Sequence, residues 1–126
     1  MARILLAEDE EALRALTARA LTDSGHEVVT AIDGADALDI LSREQGRFEL
    51  LLTDIRMPLM DGIALALATA RDYPGIIILL MTAYADQRER ASNLDALIHD
   101  VILKPFTLAE IKAAVAGALA AGKRYP

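Results

Sequence analysis

The run Leu50-Leu51-Leu52-Thr53-Asp54 constrains the fold most, because it passes in two steps from three leucines to a carboxylate. A short segment that is apolar at successive positions, with no alternation, suits a strand covered on both faces, as in a parallel sheet. Asp54 then falls at the carboxyl end of that strand, where open α/β sheets place their ligand sites. Pro58 cannot continue a hydrogen-bonded ladder and Asp61-Gly62 is turn chemistry, so the strand stops and a loop begins.

Similar aliphatic runs recur along the chain. Arg3 to Ala7 (RILLA), Glu27 to Ala31 (EVVTA), Phe48 to Thr53, Ile76 to Met81 (IIILLM) and Val101 to Leu103 read as five strands. Helical patterns separate them. The first follows Glu8, Asp9, Glu10 and Glu11, carries an apolar stripe of Leu13, Leu16, Ala20 and Leu21, and stops at Ser24-Gly25. The second opens at Gly34, turns Ala37, Leu38 and Leu41 inward, and ends near Gln45-Gly46. The third runs from Gly62 to Tyr73 and is broken by Pro74-Gly75. The fourth, Asp86 to about Ala96, is highly charged. The fifth starts at Thr107 with Glu110 three residues on, a capping-box pattern, and shows an apolar face of Leu108, Ile111, Val115 and Leu119.

Strand and helix thus alternate five times. This predicts an α/β fold: a five-stranded parallel sheet, doubly wound, with right-handed crossovers. One domain is expected over residues 1–121, followed by a short polar tail, 122–126, with no output domain. The chain of 126 residues is long enough to bury a core without disulfides or metals. It has no cysteine, which removes thiolate chemistry and points to a reducing compartment. The net charge of −6 argues against direct binding to nucleic acid or an anionic membrane. The longest purely apolar run, Ile76 to Met81, is far too short to span a bilayer, and the N-terminus opens on a strand-like segment rather than a secretory leader. The expected location is cytoplasmic.

In such a sheet the carboxyl ends of the strands converge. The first delivers Glu8 and Asp9, the third Asp54, the fourth Thr82 and the fifth Lys104. Three clustered carboxylates repel one another unless a cation or a proton intervenes. Hard oxygen ligands of this kind suit Mg²⁺. A carboxylate beside Mg²⁺ and a lysine is a credible acceptor for a phosphoryl group, a transfer that depends mainly on positioning and charge neutralisation.

With these residues in view, the chain resembles the receiver domain of bacterial two-component response regulators. The acidic pair Glu8-Asp9, Asp54 in TDIRMPLMDG, Thr82-Ala83 and Lys104-Pro105-Phe106 carry the resemblance, which covers Arg3 to about Ala120. It implies a flavodoxin-like fold of strand order 2-1-3-4-5. It implies that Asp54 takes a phosphoryl group from a sensor histidine kinase or a histidine phosphotransferase. Glu8, Asp9, Asp54 and the backbone carbonyl of Arg56 would bind Mg²⁺, Glu8 through water. Thr82 would hydrogen-bond a phosphoryl oxygen, Lys104 would pair with its charge, and the Lys104-Pro105 bond would be cis. The domain would be a regulatory phosphoacceptor rather than an enzyme acting on other substrates. Its output would be a protein partner bound through the face of the fourth helix, the fifth strand and the fifth helix, in a monomer or weak dimer. The TDIRMP and Lys-Pro-Phe contexts, with Val101 where receivers often carry an aromatic switch residue, resemble the CpdR-type regulators that deliver substrates to an AAA+ protease. A phosphate-shuttling relay receiver is the alternative within the class.

The chain departs from the family pattern in three places. Val101 removes an aromatic rotamer switch, Ile98-His99-Asp100 lacks the usual small residues, and Glu8 replaces the more common aspartate. Arg56 and Tyr84, two places after Asp54 and Thr82, are expected to overhang an acyl phosphate and slow attack by water. Two rival classes bear on the same residues. A pseudo-receiver would be a binding module that never takes phosphate, and failure to bind Mg²⁺ would mark it. A flavodoxin-like cofactor binder needs a phosphate-cradling loop after the first strand, where this chain has the repelling sequence AEDEE.

Overall fold

The computed structural model describes residues 1–122. Its elements are β1 (Arg3–Ala7), α1 (Glu11–Asp23), β2 (Glu27–Ala31), α2 (Gly34–Arg43), β3 (Leu50–Asp54), α3 (Gly62–Asp72), β4 (Ile77–Thr82), α4 (Ala85–Ser92), β5 (Asp100–Leu103) and α5 (Leu108–Ala121). The five strands form one parallel sheet in the order β2-β1-β3-β4-β5, as the resemblance implies.

All five residues of β3 are buried, because the strand lies in the middle of the sheet with helices on both sides. The period-2 alternation of the strands divides the core into two layers. Ile4, Leu6, Leu50, Leu52, Leu79 and Met81 face Leu21 of α1 and Ile111, Val115 and Ala118 of α5. Leu5, Leu51, Ile78 and Leu80 face α2, α3 and Ala91 of α4.

The structure corrects the sequence reading at several edges. β3 starts at Leu50 rather than Phe48, whose buried ring instead lies under the guanidinium of Arg3 at 4.4 Å. Helix α4 ends at Ser92, well short of Ala96. Helix α1 is rotated from its expected stripe: Thr17, Ala20 and Leu21 are buried, while Leu16 is 54% exposed. Leu21 and the small side chains of Thr17 and Ala20 thus face inward, and the Leu16 shoulder is left toward solvent. Leu108 is likewise 43% exposed and Ala118 takes the inner place. The capping box of α5 is present in both directions, Thr107 Oγ1 accepting from Glu110 N–H at 3.0 Å and Glu110 Oε1 from Thr107 N–H at 2.8 Å. Of the expected tail, Gly122 caps α5, and residues 123–126 lie outside the described residues.

Candidate functional site

The carboxyl edge of the sheet opens into a cavity of about 740 Å³, lined among others by Glu8, Asp9, Asp54, Arg56, Tyr84 and Lys104. Each predicted residue reaches it by a local device. Glu8 follows β1 directly and is 1% exposed. Its Oε1 accepts from Lys104 Nζ at 2.7 Å and its Oε2 from Glu10 N–H at 3.1 Å. Arg14, one turn into α1, donates to the Glu8 carbonyl at 2.9 Å. Asp9 is exposed beside it.

Asp54 closes β3, and Ile55 N–H continues the ladder to Met81 O at 2.9 Å. The chain then returns sharply: Gly62 N–H donates to Ile55 O at 2.7 Å. A Cβ at Gly62 would collide with the carbonyl oxygen of Asp54, so only glycine lets α3 begin this close to the end of β3. Lys104 follows β5, held by its N–H to Thr82 O at 2.8 Å, and the Lys104-Pro105 bond is cis. Its Nζ lies 3.1 Å from Asp54 Oδ2 as well as against Glu8.

Thr82 is buried at the end of β4 with its hydroxyl accepting from Tyr84 N–H at 3.1 Å. Arg56 is exposed at the cavity mouth, its guanidinium 4.5 Å above the ring of Tyr84. Val101 is buried.

The electrostatics follow from this crowding. Burial and the nearby Glu8 carboxylate push Asp54 up to about 7, against the pull of Lys104. Desolvation and Glu8 also raise Asp9. Burial disfavours the Lys104 ammonium, but its two carboxylate partners outweigh that and raise its pKa. Carboxylate oxygens of Glu8, Asp9 and Asp54 all lie within 4.8 Å of one another. Three clustered hard-oxygen donors, two of which (Asp9 and Asp54) are raised mainly by burial, fit a divalent cation such as Mg²⁺.

The structure therefore brings Glu8, Asp9, Asp54, Arg56, Thr82 and Lys104 to one edge. It also adds residues that sequence reasoning missed. Arg14 orients Glu8. Asp61 and Arg90 form an ion pair across the cavity mouth at 2.8 Å. Neither contact had a sequence signal, because each joins a residue outside a helix to one within it, at no regular helical spacing.

Fold and site together define a class: a doubly wound α/β domain presenting an aspartate beside an acidic pair and a lysine. The chain belongs to the response regulator receiver domain family, whose model matches residues 4–116. It is 34% identical over 113 residues to the transcriptional regulatory protein PrrA of Mycobacterium tuberculosis, covering 90% of this chain and 48% of that protein. It is 35% identical over 111 residues to the response regulator MprA of Mycobacterium avium, covering 88% and 48% respectively. The chain spans about half the length of the curated relatives it matches. Among solved structures, TrrA of Thermotoga maritima in complex with Mg²⁺–BeF aligns with a TM-score of 0.82 at 30% identity, covering 94% of this chain and 99% of that one. A receiver domain protein of Clostridium thermocellum aligns with a TM-score of 0.86 at 21% identity, covering 96% of each chain, a likeness of fold alone. Among the described residues no helix is long and apolar enough to cross a membrane.

Proposed function

We propose that the chain is a phosphorylation-controlled switch with Asp54 as phosphoacceptor. The observation that carries this reading is the convergence of Lys104 Nζ on Glu8 and Asp54 at 2.7 and 3.1 Å, beside a carboxylate cluster suited to a cation. An Asp54 carboxylate oxygen attacks the phosphorus of a phosphohistidine. The P–N bond breaks and the imidazole leaves with its electron pair. The donor is a sensor histidine kinase or a histidine phosphotransferase. Lys104 offsets the charge brought in, and Thr82 donates its hydroxyl hydrogen to a phosphoryl oxygen. Glu8, Asp9, Asp54 and the Arg56 carbonyl would hold Mg²⁺, Glu8 through water, and the ion would supply further charge neutralisation. The Mg²⁺–BeF complex of TrrA supports this assignment by analogy.

The Thr82 hydroxyl accepts from Tyr84 N–H, and Tyr84 is the N-cap of α4. Turning that hydroxyl toward a phosphoryl oxygen weakens this bond and biases the start of α4, and so the face of α4, β5 and α5. Leu97, Leu103 and Leu108, each about two-fifths exposed, offer that face an apolar contact for a protein partner. The net charge of −6 favours such a partner over direct nucleic-acid contact by this chain. Delivery of substrates to an AAA+ protease rests on the sequence context of Asp54, Val101 and Lys104. Phosphate shuttling is its alternative, and capture of partners by phosphorylated against unphosphorylated protein decides between them.

The test is incubation with acetyl phosphate with and without Mg²⁺, read by intact mass, alongside Asp54→Asn. A Mg²⁺-dependent phosphoryl gain that the variant loses supports the switch. No gain from acetyl phosphate or from a histidine phosphodonor, together with no Mg²⁺ binding, makes the chain a pseudo-receiver.

A further inference from the structure

Helix α4 is held to the domain differently from the other four. Of its residues only Ala91 is buried. An alanine side chain removes little apolar surface from water, so packing secures α4 weakly. The apolar anchors of this region, Leu94 and Ile98, come after the helix has ended.

What α4 has instead are two polar struts to the loop between β3 and α3. One is the Arg56 guanidinium over the ring of Tyr84. The other lies in the last turn, where Arg90 Nη2 donates to Asp61 Oδ2 at 2.8 Å. Arg90 Nη1 also donates to Gln87 Oε1 at 2.8 Å, which orients the guanidinium fork. Asp61 is fixed from the other side, because its Oδ1 accepts Ala64 N–H at 2.8 Å as the N-cap of α3. Burial works against the Asp61 charge, but the Ala64 N–H and Arg90 prevail and hold its carboxyl below the usual range. Helix α3 is itself well anchored by Ile63, Leu65, Ala66 and Thr69. The ion pair therefore joins an element fixed by its core contacts to one that is not.

We infer that Asp61–Arg90 is a latch that keeps α4 docked on the loop after β3, and that opening it loosens α4 as a unit. This deepens the proposed switch by naming what restrains its output helix. The latch itself makes no demand on phosphorylation, so the two readings can fail separately.

The experiment is hydrogen exchange by mass spectrometry on the unphosphorylated full chain, following amides 85–92. The proteins are wild type, Arg90→Ala, Asp61→Asn and the double variant. Asparagine caps a helix as well as aspartate does, so Asp61→Asn removes the charge while α3 keeps its cap. A pair this exposed is worth little in a rigid setting, and with so little competing packing its loss should speed exchange of α4 about two- to five-fold. Each single variant should show this increase with β3 and α3 unchanged. The double variant should add nothing further, because both changes break one interaction. Raised salt should loosen α4 in the wild type and leave the variants as they are. Unchanged exchange in both single variants, or effects that simply add, would overturn the latch. A failure of phosphorylation by intact mass would sink the switch and leave this readout intact.

Discussion

Lys104 and Glu8, 96 positions apart in sequence, meet at 2.7 Å, and the same ammonium reaches Asp54 at 3.1 Å. Lysine is thus the counter-ion of two buried carboxylates. Lys104→Met should leave both without it. Breaking a buried pair is costly, and protonation of the carboxylates relieves part of the loss, so about 2–3 kcal/mol of stability should go at pH 8. Added Mg²⁺ should restore more stability to the variant than to the wild type. Urea unfolding with and without the ion checks both, and a variant as stable as wild type would show that Lys104 does not neutralise the cluster.

Asp54 gives the metal-free protein a characteristic pH dependence. Its carboxyl is raised from 3.8 to about 7, so between those values the folded state binds a proton that the unfolded state has released. Its contribution to stability is therefore present in full below pH 4 and is lost as pH rises through 7. Asp54→Asn removes the ionisation. The variant should melt higher than wild type at pH 8, by roughly 3–6 °C for a gain near 1 kcal/mol, with the difference shrinking toward pH 5. A difference that is constant with pH would deny the raised pKa.

Two glycines should answer oppositely to alanine. At Gly62 the new Cβ meets the Asp54 carbonyl, so backbone must shift, costing about 1–3 kcal/mol and displacing Asp54. At Gly117, inside α5, an added Cβ meets nothing within 4 Å. Gly117→Ala should stabilise by about 0.5–1 kcal/mol through helix propensity. Thermal melts of the two variants decide.

Thr17 is buried on α1 and its hydroxyl has no hydrogen-bond partner among the described residues. Thr17→Val keeps the shape and removes the unsatisfied group. It should raise stability by about 1 kcal/mol. A loss instead would reveal a partner for that oxygen, a bound water for example.

The Arg56–Tyr84 stack lies at the mouth of the cavity, where it would overhang a phosphoryl group on Asp54. Arg56→Ala and Tyr84→Ala should each shorten the lifetime of phosphorylated protein several-fold, and the double variant should shorten it no further, since either change removes the same cover. Decay of the phosphoryl mass after removal of the donor measures this. Unchanged lifetimes would reject a shielding role.

Much of this was legible in the chain. The uninterrupted run of β3, the punctuation at Gly25, Pro58 and Pro74, and the capping box at Thr107 are local signals set by backbone sterics and short-range hydrogen bonds. They predicted the alternation of elements, and the alternation carried Glu8, Asp9, Asp54, Thr82 and Lys104 to one edge. The α1 stripe holds at Ala20 and Leu21 and fails at Leu16, whose place Thr17 takes. Period and apolarity define a stripe, whereas the depth to which a helix sinks between its neighbours selects which shoulder is covered.

The sequence alone therefore determined the order of the elements, the strand-end residues and the family, since each rests on nearest neighbours along the chain. Only the tertiary structure decided that Lys104 bridges two carboxylates, that Thr82 bonds the N-cap of α4, and that Arg90 closes on Asp61. Those contacts join residues on separate elements. Side-chain reach is a few ångströms, so each depends on distances and rotations that appear only when the helices have settled on the sheet.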